Sequence, residues 1–70
     1  MNDSIYKIIE LIGTSEKSWE DAAKKAVEKA AQTLEDLRIA EVSDMDMKIE
    51  NGKVTAYRTK VKLSFRFKDK

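Results

Sequence analysis

The chain contains no cysteine and no histidine, and these two gaps exclude more chemistry than any residue present suggests. Without cysteine there is no disulfide to staple a small fold, no thiolate metal site and no sulfur nucleophile. Without histidine the commonest metal ligand and the commonest general base are gone. Any metal would be held by oxygen, which points to hard cations such as calcium or magnesium. An excess of one charge is also lacking: 14 Lys and Arg stand against 13 Asp and Glu, a formal charge of +1. No long-range field draws such a chain onto nucleic acid or an acidic membrane, and neither is expected as a partner. There is no glycine-rich phosphate loop, and Thr14, Ser15 and Ser18 have no histidine to activate them, so hydrolase and nucleotide-transfer chemistry fall away. The opening Met1-Asn2-Asp3-Ser4-Ile5-Tyr6-Lys7 shows no basic stretch leading into an apolar run, and no segment approaches the length of a membrane span. A cytoplasmic protein is the expectation.

What is present is a short, heavily charged chain with regular apolar spacing. At 70 residues it is read as one domain, 1–70. A chain this short buries only roughly 60% of the surface that its unfolded form exposes, so it needs outside help, and without disulfides that means a metal or partner subunits. Charged residues are 39% of the total, yet they interleave with the apolar ones rather than forming blocks. That pattern belongs to a folded domain, not a disordered one.

Ile5-Tyr6-Lys7-Ile8-Ile9-Glu10-Leu11-Ile12 is rich in β-branched and aromatic types and apolar at both alternating phases, which predicts a strand covered on both sides. Gly13-Thr14-Ser15 is expected to end it. Ser18 with Asp21 three residues on resembles a capping box, and Glu20 and Asp21 suit the positive end of a helix dipole. From Trp19 the apolar positions Ala22, Ala23, Ala26, Val27, Ala30, Ala31, Leu34 and Leu37 form one stripe of an amphipathic helix of about 18 residues. Most of the stripe is alanine, so closeness of fit counts for more than bulk. The other face, with Lys24, Lys25, Glu28, Lys29, Gln32 and Glu35, reads as solvated.

Residues 37–50 alternate again, with Leu37, Ile39, Glu41, Ser43, Met45, Met47 and Ile49 at one phase and Arg38, Ala40, Val42, Asp44, Asp46, Lys48 and Glu50 at the other. The dominant face changes partway, as in a bent strand. Asn51-Gly52 is a two-residue hairpin turn. The last strand then sets Thr55, Tyr57, Thr59, Val61, Leu63, Phe65 and Phe67 against Ala56, Arg58, Lys60, Lys62, Ser64, Arg66 and Lys68, a core face and a basic face. The fold class is α+β, in the order β-α-β-β. Strands of about a dozen residues span roughly 40 Å, whereas the helix covers roughly 27 Å, so the helix cannot cover the sheet and the sheet edges stay open. Self-assembly follows.

Ile5 to Ser15, then Ser18-Trp19-Glu20 and the alanine-rich helix, then Thr33-Leu34, Leu37-Arg38, Glu41-Val42, Asn51-Gly52-Lys53-Val54 and Lys62-Leu63-Ser64-Phe65-Arg66 together resemble the dodecin family over nearly the whole chain. The resemblance implies a three-stranded antiparallel sheet packed on one helix and assembled into a hollow homododecamer built as four trimers. It also implies a binding protein. Flavin-binding dodecins stack the isoalloxazine ring on a tryptophan in the second strand and hydrogen-bond it with a glutamine in the third. The matching positions here are Ile39, followed by Ala40, and Arg58, with Tyr57 beside it. An aliphatic side chain has no ring face, and a guanidinium donates where an amide both donates and accepts. Arg38-Ile39-Ala40-Glu41-Val42 with Asp46-Met47 and Tyr57-Arg58 looks more like the calcium dodecins, which lack that tryptophan.

Trp19, at the first helical turn and on the apolar stripe, reads as an anchor rather than a stacking platform. Met45 and Met47 read as core or interface filler. Glu10 needs a partner such as Lys60 or Lys62 on a neighbouring strand. Asp44, Asp46 and Glu50 lie at i, i+2 and i+6 of one strand, so their carboxylates share a face; spacing alone makes them a solvated acidic edge or a partial cation site. The family resemblance raises the second, with symmetry-related copies supplying the remaining ligands. The leading function is storage or binding of small ligands or divalent cations, calcium included; the alternative is a flavin or nucleotide-cofactor carrier using Ile39, Tyr57 and Arg58. A pure interaction module using the basic face comes third. Tyr57, Arg58 and Glu41 are the only acid-base set for an enzyme, and no base sits beside a nucleophile, so none is expected.

Overall fold

A computed structural model describes residues 5–66. The order is β1 (Tyr6–Ser15), α1 (Trp19–Ala31), β2 (Leu37–Glu50) and β3 (Lys53–Arg66). The strands form one antiparallel sheet in the order β1-β3-β2, so β3 is central and β1 and β2 are its edges. The β-α-β-β order and the three-stranded antiparallel sheet on one helix are as the sequence led us to expect; Phe67 and Lys68, placed in the last strand by periodicity, lie outside the described residues.

β1 does not stop at Gly13. It continues through Thr14 and Ser15, paired with Arg58 and Tyr57. The glycine is there for a close approach, not for a turn: a Cβ at Gly13 would lie on the Ala22 carbonyl and press on the Ala26 methyl. The alanine stripe supplies the other half of this fit. Ala22, Ala26 and Ala30 are buried, and Ala26 and Ala30 pack with Val61 and Leu63 of β3 while Ile9, Leu11, Val27, Leu34 and Leu37 close around them.

The helix begins with a cap that differs in detail from the expected box. Ser18 is extended and its Oγ accepts from the Asp21 N–H at 2.9 Å. The Asp21 carboxylate, however, accepts from the Ser15 hydroxyl at 2.6 Å and pairs with Lys25 at 3.2 Å. Ser15, almost fully buried, in turn accepts from the Lys17 N–H at 2.9 Å. Two hydroxyls and one carboxylate thus fasten the last turn of β1 to the first turn of α1. The helix covers 13 residues, fewer than the periodicity suggested. It closes with shortened bonds from the Gln32 and Thr33 N–H groups to the Lys29 and Ala30 carbonyls, and Asp36 reverses the chain with φ 64°.

The helix covers β1 and β3 and leaves most of β2 bare. Only one side of β1 is covered within the chain: Ile9 and Leu11 face the core, whereas Ile8 and Ile12 are more than half exposed. At the hairpin, Asn51 and Gly52 both have positive φ, 52° and 75°, which fits a type I′ turn.

Two outcomes follow. Gly13→Ala should destabilise the fold by about 3 kcal/mol, since backbone rather than a flexible side chain stands where the methyl would go; denaturant unfolding measures it, and an unchanged midpoint would refute the close-approach account. Hydrogen bonding from Ser15, then Lys25, holds the Asp21 carboxyl below its ordinary 3.8. A depressed folded value adds stability above the unfolded value and loses it as pH falls through the folded one. Parent and Asp21→Asn should therefore differ in melting temperature at neutral pH and converge in acid; parallel curves would show that Asp21 carries no such linkage.

Candidate functional site

Cross-strand pairing decides which side chains share a face. Tyr57, Thr59, Val61, Leu63 and Phe65 of β3 point to the helix, and their β2 partners are Met47, Met45, Val42, Ala40 and Leu37. The bare side of the sheet carries the alternate set. Across it run three rows, Glu10-Lys62-Glu41, Ile12-Lys60-Asp44 and Thr14-Arg58-Asp46, each centred on a base of β3.

The alternation of β2 is broken to achieve this. The pairing register shifts between Val42 and Asp44 and again between Lys48 and Ile49, so residues 44–48 are offset by one from the rest of the hairpin. A ladder counted back from the Asn51-Gly52 turn without a shift would set Asp46 opposite Tyr57, on the helix side. The extra residue Thr55 moves it opposite Arg58 instead, and the extra residue Ser43 restores the original register beyond. Both irregularities are tied by hydroxyls: Thr55 Oγ1 donates to the Lys48 carbonyl and Ser43 Oγ to the Lys60 carbonyl, each at 3.3 Å.

Asp44, Asp46 and Glu50 accordingly lie on the bare side, and each has a cation beside it. Arg58 donates from Nε to Asp46 Oδ1 and from Nη2 to Asp46 Oδ2, both at 2.7 Å. This two-pronged bond holds the Asp46 carboxyl below its ordinary range and raises the Arg58 guanidinium further. Lys60 stands 3.9 Å from Asp44, and Lys48 3.5 Å from Glu50. Lys62 lies 3.9 Å from Glu10, the pairing the lone strand carboxylate required. Among the described residues no three carboxylates of one chain converge as a metal site.

Ile39, Arg58 and Tyr57 are not brought together in one chain. Ile39 pairs with Ser64, six residues along β3 from Arg58, a distance of roughly 20 Å. It lies on the bare side, not at the phase of Met45 and Met47 with which simple alternation grouped it, because the register shifts between Leu37 and Ile39 and again after Val42. Tyr57 faces the helix. Its ring meets Trp19 edge-on, with centroids 5.1 Å apart at 68°. Trp19 Nε1 also donates to the Asp46 carbonyl at 3.0 Å, and the Trp19 carbonyl accepts from Thr59 Oγ1 at 2.9 Å. The indole is thus the anchor its position suggested. Glu41 and Arg58 sit on different rows of the bare side and Tyr57 on the helix side, so the three form no acid-base set. The Arg58 fork itself was not foreseen; a count of register from the turn cannot find it unless the bulge at Thr55 is known.

Comparisons agree with this architecture. The dodecin family profile matches residues 5–68. A calcium dodecin of Mycobacterium tuberculosis is 46% identical over 93% of this chain and 92% of its own length. The crystal structure described as that of the calcium-chelating immunodominant antigen calcium dodecin, with a novel calcium-binding site, from the same organism superposes with a TM-score of 0.82 at 44% identity, covering 93% of each chain. Dodecin from Streptomyces coelicolor superposes with a TM-score of 0.91 at 34% identity over the whole of both chains. Among the described residues no helix is long and apolar enough to cross a membrane. Matched over nearly its full length by the family profile and by these proteins, the chain belongs to the dodecin family, whose members bind ligands and are not enzymes.

Proposed function

We propose that the chain is a subunit of a hollow homododecamer that binds and stores small ligands, with divalent cations, calcium foremost, held on the bare sheet face by Asp44, Asp46 and Glu50. The observation that carries this reading is the alignment of these carboxylates on one face of β2, in a chain 46% identical to a calcium dodecin. Alternate residues on a strand stand roughly 7 Å apart, so one subunit cannot wrap an ion. Around a symmetry axis each neighbour contributes the same pair, and converging like charges favour a cation among them. Calcium suits such a set better than magnesium because its six to eight oxygen ligands tolerate irregular geometry, whereas magnesium demands a near-ideal octahedron.

Assembly is supported by what a lone chain leaves uncovered. Ile8, Ile12, Ile39, Val42, Met45, Met47 and Ile49 are all at least 45% exposed, on the two edge strands. Patches of this kind mark interaction surfaces, and open strand edges invite pairing. Flavin in the usual stacked mode is the weaker reading. The position of the stacking tryptophan holds Ile39, Trp19 is engaged at the helix start, and both donors of the Arg58 fork are taken by Asp46. These observations support the branch without the flavin-stacking tryptophan.

Native mass spectrometry should report twelve subunits; a folded monomer at micromolar concentration would overturn the assembly. Calcium should raise the melting temperature of the assembled protein by several degrees, and magnesium by less. The calcium increment should vanish in Asp44→Asn with Asp46→Asn. An equal increment in parent and double variant would place the ion elsewhere and end the metal reading of β2.

A further inference from the structure

The two ends of β2 are left uncovered within the chain, each in its own way. At the hairpin end, β1 stops at Ser15, opposite Tyr57, so Lys48 to Ala56 form a ribbon of only two strands closed by Asn51-Gly52. Such a ribbon is marginal in water and needs a third strand or a packed face. Ile49 and Val54, paired across it, are 64% and 48% exposed. Ile49 continues the phase of Met45 and Met47, so this apolar pair lies on the helix side. At the other end, the start of β2 borders a cavity of about 140 Å³ lined by Val27, Leu37, Arg38, Ile39, Ala40 and Leu63.

We propose that the hairpin tip of one copy docks at the start of β2 in the next copy, with Ile49 and Val54 over the cavity beside Val27 and Ala40. This contact rests on the assembly reading given above and supplies one of its joints.

Size and charge both match. An apolar cavity of this volume takes a benzene-sized group, which is room for one branched aliphatic side chain. Glu41 lies next to Ala40 on the bare side, and Lys53 stands opposite Glu50 on the bare side of its ribbon. Among the described residues neither Glu41 nor Lys53 has an ion-pair partner. β2 is an edge strand whose outer backbone groups are open to a further strand. A ribbon laid beside it edge to edge sets apolar against apolar on the helix side and Lys53 against Glu41 on the bare side.

No chain can make this contact with itself. Ile49 and Ala40 are nine residues apart on one strand, roughly 30 Å. The projecting part and the receiving part belong to the same sequence and complement each other, so the occupant is a second copy. Joining two different patches head to tail gives a heterologous contact, which closes into a ring where the rotation permits.

The absence of cysteine lets thiols be placed where the test needs them. Ile49→Cys with Ala40→Cys, treated in the assembled state with a short bis-maleimide linker, should give a ladder of covalently joined subunits on a denaturing gel. Within one chain the two thiols are too far apart for the linker, so every rung reports a contact between copies. Each single variant should stay monomeric on the same gel. Ile49→Ser with Val54→Ser should raise the concentration of half-dissociation roughly tenfold or more, since two buried aliphatic side chains are lost from the joint. If the parent assembles but the paired thiols give no ladder, if either single variant cross-links as well as the pair, or if the serine variant assembles as tightly as the parent, the head-to-tail contact is refuted while the assembly reading stands. If native mass spectrometry finds the parent to be a folded monomer, the assembly reading fails and this contact fails with it.

Discussion

The arrangement of the bare sheet face depends on one constraint, the one-residue offset of Asp44–Lys48 between two strand irregularities. A strand has a period of two, so slipping by one residue turns every side chain over. Without the extra Thr55, Asp44 and Asp46 would point into the helix side opposite Thr59 and Tyr57, where an unpaired carboxylate is costly. Met45 and Met47 would then lie on the charged side. The offset sends the carboxylates to the bases of β3 and the thioethers to the helix side in the same step. Ser43 and Thr55, whose hydroxyls bond to the backbone across the two irregularities, thus help set which side chains reach the bare face although neither carries a charge.

The helix side obeys a different constraint, of distance rather than register. Gly13 and Ala22 let α1 lie against β1 so closely that no methyl fits between them. Such contact gives good packing but little area, since alanine buries few atoms and stabilisation scales with apolar area at roughly 25 cal/mol per Å². A helix of 13 residues placed over β1 and β3 then leaves β2 uncovered. The narrow core and the exposed apolar edge are two results of the same choice of small residues, and together they support a subunit built for assembly.

Much of this was legible in the sequence. The order of elements followed from periodicity, the hairpin from Asn51-Gly52, the cap from Ser18, the Glu10 partner from the need to pair a carboxylate in an apolar strand, and the Trp19 anchor from its place on the stripe. What was not legible has identifiable physical causes. Glycine at position 13 was read as a breaker because sequence shows no neighbour, and its reason is the backbone of another element. Leu34 and Leu37 continue the helical spacing although the helix has ended, because both still pack on the same core. The face of Ile39 and the partner of Asp46 were hidden by bulges, whose insertion leaves no mark on composition.

Asp46 is where these constraints meet. Its carbonyl is held by the Trp19 indole, which belongs to the helix start, while its carboxylate is held by Arg58 on the opposite side of the sheet. The Trp19 ring is in turn set against Tyr57, the residue next to Arg58 in β3. The backbone at this position is therefore fixed from the helix side, and the carboxylate from the bare side. A side chain on a backbone that is already fixed loses little entropy when it takes a partner, because the strand is already in place. The ordinary cost of ordering an exposed edge strand at this position is met at folding by the packing of Trp19.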